Sequence, residues 1–166
     1  NEDMTIIIKN KETLIFEDFN FRCCIGKNGT TNNKIEGDKK TPKGLYSLGN
    51  LYFRKDKNFK PITKLKSLSI NKKIGWCNDV RNKKYNRLIK INKKIKYEKM
   101  HRKDYKYDYV IPIKYNTNNV RIGKGSAIFI HLTKNYKKTA GCIALNKKDL
   151  LILLKLINRR TKIKIL

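Results

Sequence analysis

The chain is short of metal ligands and of long apolar runs. Its two histidines, His101 and His131, and four cysteines, Cys23, Cys24, Cys77 and Cys142, include no C-x-x-C pair, a poor pattern for structural zinc. No metal and no cofactor are therefore expected. Vicinal Cys23 and Cys24 would point to opposite faces of a strand and read as buried thiols, while Cys77 either does the same or lines a site beside Trp76. No apolar run reaches the roughly 18 residues of a membrane-crossing helix. The run Thr5 to Ile8 is also too short for the apolar segment of a signal peptide. Met4 reads as a natural start, with Asn1, Glu2 and Asp3 added ahead of it. Internal repeats are missing as well.

Acidic residues are scarce: 13 stand against 41 lysines and arginines, a formal net charge of +28. Such an excess ordinarily raises nucleic acid or an anionic surface as a partner. Here the basic residues are mostly lysine, spread through every segment and accompanied by abundant Asn and Ile. AT-rich codons specify all three, so genome composition is a sufficient explanation. Aromatic residues do not interleave with basic ones in any nucleic-acid reader motif, and no nucleic acid is required as a partner. With 166 residues the chain fits one domain, 1–166, that can bury a core without disulfides, and a monomer is expected.

Short strands joined by turns dominate the pattern, giving a mainly β fold with short helices. Thr5–Lys9 and Thr13–Phe16 predict a hairpin turning at Asn10–Glu12, Phe21–Ile25 predicts a third strand, and Gly26–Asn33 predicts a loop. Thr41-Pro-Lys-Gly44 carries turn chemistry ahead of a strand Leu45–Leu48. Tyr107–Ile111 reads as a strand that Pro112 ends or pushes to a sheet edge, Ser126–Ile130 as a central strand, and Arg160–Leu166 as a closing one. Lys147–Ile157 has the apolar density of a core-facing helix. The stretch from Asn71 to Lys106 is polar, Lys-rich and irregular, a length that suits a compact domain only if it serves a purpose.

The chemistry concentrates in two blocks, Gly125-Ser-Ala-Ile-Phe-Ile-His131 and Thr139-Ala-Gly-Cys142-Ile-Ala-Leu145. They set a histidine at the end of an apolar strand and a cysteine in a tight glycine turn ahead of a helix. An imidazole and a helix N-terminus both favour a thiolate, the reactive form of cysteine. Cys142 is the expected nucleophile and His131 its base, against the plainer readings of a buried small thiol and a core histidine. The Gly141 and Cys142 N–H groups would stabilise an oxyanion, and Gly141 leaves room for substrate.

Together with Gly26-Lys-Asn-Gly29, Glu36-Gly-Asp-Lys-Lys-Thr-Pro-Lys-Gly-Leu-Tyr46, Gly75-Trp-Cys-Asn-Asp79 and Tyr85-Asn-Arg87, these blocks resemble the YkuD-type (ErfK/YbiS/YcfS/YnhG) L,D-transpeptidases. The likeness runs from about Arg22 to the C-terminus and points to a short branch with the Gly-Trp-Cys-Asn-Asp motif. It implies a single-domain YkuD-like β-sandwich. It also implies a cysteine acyltransferase that cross-links peptidoglycan stem peptides through a thioester, in the periplasm or cell envelope. An L,D-carboxypeptidase using water as acceptor, a non-catalytic peptidoglycan-binding relative, and, on charge alone, a nucleic-acid binder are the alternatives. Export would require a removed leader or an unusual route. Better-known members carry a histidine two residues before the cysteine and an arginine two after it. This chain has Ala140 and Ala144 there, and its shorter histidine-to-cysteine spacing implies a wider mouth.

Substrate contacts are expected from Trp76, Asn78, Asp79, Tyr85, Asn86 and Arg87 as a pocket wall, although the same loop could simply pack on itself. Arg102 is a candidate carboxylate clamp, since its guanidinium pairs bidentately with carboxylates. Ser126 is placed with the substrate contacts, and Thr139 either orients the cysteine turn or only stabilises it. His101 is a possible replacement for the missing second histidine, or an exposed loop residue.

Overall fold

The computed structural model describes residues 4–166, so the reading of Asn1 to Asp3 as added residues lies outside the described residues. The chain builds β1 (Thr5–Lys9), β2 (Thr13–Phe16), β3 (Phe19–Arg22), β4 (Thr30–Thr31), β5 (Thr41–Pro42), β6 (Gly44–Ser47), β7 (Leu51–Phe53) and β8 (Ser67–Ser69). It continues through β9 (Ile74–Cys77), β10 (Leu88–Lys90), β11 (Tyr97–Lys99), β12 (Tyr109–Pro112), β13 (Phe129–Leu132), β14 (Ile143–Leu145), α1 (Lys147–Leu156) and β15 (Lys162–Ile165).

Period-two patterning sorts these strands into layers. Ile6 and Ile8 of β1, Leu14 and Phe16 of β2, and Ile163 and Ile165 of β15 point inward from a sheet ordered β3-β2-β1-β15-β6. They meet Leu51, Phe53, Ile111, Ile130, Leu132, Ile143 and Leu145 from a second sheet, ordered β14-β13-β12-β7-β8. The helix adds Leu150, Leu153 and Leu154 to the same core, each fully buried and each stabilising by about 1.5–3 kcal/mol. Asn146 starts it by accepting the Asp149 N–H at 2.8 Å. The opposite face of the second sheet buries Val110, Phe129 and Cys142 in a smaller cluster with Ile70, Trp76, Met100 and Tyr107. The fold is thus a mainly β sandwich with one short helix.

Several sequence expectations shift. The segment from Asn71 to Lys106 is largely turns and loops, as expected, but it also carries a small three-stranded sheet, β10-β9-β11, whose strands are too short to show alternation through the lysines. Thr41 and Pro42 form a strand paired with β4, inside the expected loop, before the chain turns into β6. Pro112 does not drive its strand to an edge, because β12 lies between β13 and β7 and Pro112 is its last residue. Its carbonyl still accepts the Gly49 N–H at 2.8 Å. The strand expected at Ser126–Ile130 begins three residues later, at Phe129, because Ala127 takes a left-handed φ of 53° that no strand accommodates. His131 therefore lies inside β13 rather than beyond its end. The third strand is also earlier than expected, and Cys24 makes only an isolated bridge to Ala144.

Candidate active site

Strands β13 and β14 run parallel, with His131 opposite Ala144 and Ile130 opposite Ile143. Residues alternate between faces, so Phe129 and His131 share one face with Ala144 and, a residue before β14, with Cys142. The nucleophile and base candidates are thus diagonal neighbours, His131 within β13 and Cys142 in the turn before β14. No hydrogen bond joins their side chains among the described residues. Strand β14 separates Cys142 from α1, which corrects the expectation of a helix N-terminus beside the thiol.

Each partner is held separately. The Phe129 N–H donates to Cys142 Sγ at 3.3 Å, and the thiol donates to the Ala127 carbonyl at 3.2 Å. His131 Nδ1 lies 2.8 Å from the Leu132 carbonyl, which assigns the proton to Nδ1 and leaves Nε2 as the basic nitrogen. Nε2 is buried and has no partner. Burial pushes the Cys142 thiol up to about 11 even though the Phe129 N–H favours the thiolate. Burial, with the charge of Lys106 next, pulls His131 down to about 3. The resting pair is therefore a neutral thiol and a neutral imidazole. Tyr107 covers this face, edge-on to both Phe129 and His131 at 5.7 and 5.4 Å, with its hydroxyl donated to Glu98 at 2.7 Å.

The cysteine turn is pinned from two sides. Thr139 Oγ1 donates to the Cys142 carbonyl at 2.6 Å and accepts the Gly141 N–H at 3.1 Å, so one expected oxyanion donor is occupied at rest. From the Thr-Pro-Lys-Gly segment, buried Thr41 donates to the Gly141 carbonyl at 2.8 Å. Gly141 has φ of 143°, and a Cβ there would stand 2.9 Å from the Lys40 carbonyl. Only glycine fits that turn.

Behind the thiol, Asn86 holds the wall. Its Oδ1 accepts Trp76 Nε1–H at 2.9 Å and the Ala127 N–H at 3.0 Å, and its Nδ2 donates to the carbonyls of Tyr115 and Asn116. Trp76 packs edge-on against Phe129 at 5.2 Å and joins the cluster that buries Cys142. Tyr85 and Ser126 both donate to Glu36 Oε1, at 2.6 and 2.5 Å, and Tyr85 also accepts the Gly125 N–H.

Other expected contacts lie elsewhere. Asp79 accepts backbone N–H groups of Lys96 and Arg81, which hold its carboxyl down at about 2, and so it ties a loop of the β9–β11 sheet. Asn78, next to it, has a buried Oδ1 without a partner. Arg87 borders a groove with Leu48, Tyr52, Leu65 and Pro112 that Trp76 and Asn86 also line and that does not include Cys142 or His131. Arg102 lines a cleft of about 240 Å³ with His131, Thr139, Ala140 and Ala144, but its guanidinium is already bidentate with Asp104 at 2.9 and 2.8 Å. His101 faces Asp56 at 3.6 Å and does not border that cleft. Thr41, Tyr107, Glu36, Glu98 and Lys34 went unread in the sequence. Only Glu36 and Thr41 carried a signal, as members of the Glu36-Gly-Asp-Lys-Lys-Thr-Pro-Lys-Gly block.

No group of three or more His, Cys, Asp or Glu residues is placed to hold a metal, and no helix is long and apolar enough to cross a membrane, among the described residues.

The family model of the YkuD L,D-transpeptidase catalytic domain matches residues 2–165. The chain is similar in structure to Bd1075 of Bdellovibrio bacteriovorus, with 14% identity and a TM-score of 0.50 over 99% of this chain and 48% of that one. It is also similar to Pgp2 of Campylobacter jejuni, described as a helical cell shape determining protein, with 20% identity and a TM-score of 0.51 over 98% of this chain and 46% of that one. It spans about half the length of each, and identities this low carry the fold alone. A comparison with curated protein sequences finds no match.

Proposed function

The chain belongs to the YkuD family of L,D-transpeptidase catalytic domains, and from that premise we propose that it is a peptidoglycan L,D-transpeptidase working through a Cys142 thioester. One observation carries the reading: Cys142 and the unpartnered His131 Nε2 share one face of β13 and the turn leading into β14. Buried polar atoms are normally paired, and an orphaned imidazole nitrogen beside a nucleophile suits a proton acceptor.

With both groups neutral at rest, the proton moves as the bond forms. Cys142 Sγ attacks the donor carbonyl while its proton passes to His131 Nε2, a transfer that requires the two to close together as substrate binds. The oxyanion meets the Cys142 N–H, and the Gly141 N–H once Thr139 yields it. Breaking the peptide C–N bond sends the proton from His131 to the departing amine and leaves the thioester. An incoming stem amine then attacks the thioester, passes its proton to His131, and restores the thiol. Residues Trp76, Asn86, Tyr85 and Ser126 act by shaping this wall, and Arg102 and Arg87 border the approaches to it. Members of the family are generally associated with the cell envelope, and a periplasmic site of action fits this reaction.

Water as acceptor would make the same thioester an L,D-carboxypeptidase. Mass spectrometry of the products from purified muropeptides separates the outcomes. Cross-linked dimers support the proposal, trimmed monomers alone support the hydrolytic reading, and unchanged muropeptides refute both.

A further inference from the structure

Lys34 is the one buried lysine among the described residues, in a chain whose other lysines lie toward solvent. Its ammonium donates to Asp38 Oδ1 at 2.5 Å. That carboxylate is fixed independently by the Ile35 and Lys40 N–H groups, at 3.0 and 2.9 Å. The pair accounts for one of the three ammonium protons and leaves the others free to meet an anion.

Two glycines make room for this side chain. A Cβ on Gly125 would stand 2.7 Å from Lys34 Cγ and 3.1 Å from Cε, and one on Gly141 would stand 3.5 Å from Lys34 Nζ. The stem thus runs past the block that leads to His131 and delivers its charge against the residue before Cys142. Burying a lysine is costly unless the charge is used, and a structural partner for Asp38 could have been placed in solvent. The lysine charge also favours the thiolate of Cys142.

Of the other cations, Lys106 stands on the His131 side of the pair, over the Tyr107 ring at 5.2 Å, and Lys134, Lys137 and Lys138 line the same cleft. Arg102 is committed to Asp104, Arg87 lines a groove that includes neither Cys142 nor His131, and alanines stand at 140 and 144. Resting on the transpeptidase reading, we propose that Lys34 is the specificity-determining cation of the donor site. It pairs with the free C-terminal carboxylate of the donor stem and so restricts attack to the bond before the last residue. The carboxylate leaves with the released amino acid, and Asp38 keeps the ammonium positioned between turnovers.

The test compares a donor stem ending in a free carboxylate with the same stem ending in an amide. Wild type is expected to favour the carboxylate at least tenfold in kcat/KM, mostly through KM. Lys34→Met should lose at least tenfold more kcat/KM on the carboxylate donor than on the amide, erasing the preference, and Lys34→Arg should keep part of it. Equal use of the two donors by wild type overturns the assignment without any variant. So does a well-folded Lys34→Met that loses activity equally on both, the result of a merely structural ion pair. Absence of turnover on either donor by wild type refutes instead the transpeptidase reading on which the proposal rests.

Discussion

Cys142 and His131 are defined by what burial does to their charge. An ordinary thiol near 9 is raised here to about 11, so the thiolate fraction of the folded enzyme is small at neutral pH. Alkylation of native protein should be slow at pH 7 and accelerate about tenfold per pH unit toward 10, as thiolate becomes available. A rate already level at pH 7 would show an activated resting thiolate. For His131 the folded value of about 3 lies below the ordinary 6.5. Between those values the unfolded chain binds a proton that the folded chain refuses. Stability from this group is therefore present above about 6.5 and lost as pH falls toward 3, by up to about 1.4 kcal/mol per unit. Urea titrations of wild type and His131→Gln should differ in slope across that window. The same substitution should cost about two to four orders of magnitude in turnover, since the oxyanion donors survive. Near-normal turnover would move the base elsewhere.

At the scale of elements, the sheet β10-β9-β11 exists to seat Trp76 and to bring Asn86 beneath the nucleophile's wall. Asn86 takes a left-handed φ of 61°, which asparagine tolerates better than most residues, and satisfies groups on three segments. Asn86→Ala leaves the buried Trp76 Nε1–H unpaired, at about 1–3 kcal/mol, and removes the partner of the part-buried Ala127 N–H. Thermal denaturation should register that loss, and turnover should fall because the Ala127 carbonyl that holds the thiol shifts. A variant as stable and active as wild type would make the constellation ornamental. The hairpin β1–β2, helix α1 and closing strand β15 were legible because apolar residues recur at the right period. The sheet around β9 was not, since three- and four-residue strands among lysines carry no period. In the site, Cys142, His131 and Gly141 were legible as residue types in an ordered motif. Their protonation was hidden, because it depends on Tyr107, Met100 and Trp76 closing over them from distant segments. Lys34 was hidden for a related reason: among so many lysines, burial alone distinguishes it.

Across the whole molecule, a net charge of +28 surrounds a reaction centre that is itself neutral at rest. On the proposed reading, the dispersed lysines should raise the encounter rate with acidic stems through a field that salt screens within about 10 Å at 0.1 M. The same reading assigns specificity instead to the few charges fixed inside the fold. The central claim is that Cys142 becomes acylated by a peptidoglycan stem, and intact-protein mass spectrometry after mixing enzyme with purified muropeptides tests it directly. The account predicts a mass increase equal to the donor minus its released C-terminal residue, located on Cys142 and absent in Cys142→Ala. Processing of muropeptides by Cys142→Ala at the wild-type rate, or a wild-type enzyme that neither gains mass nor changes its substrate, would contradict it.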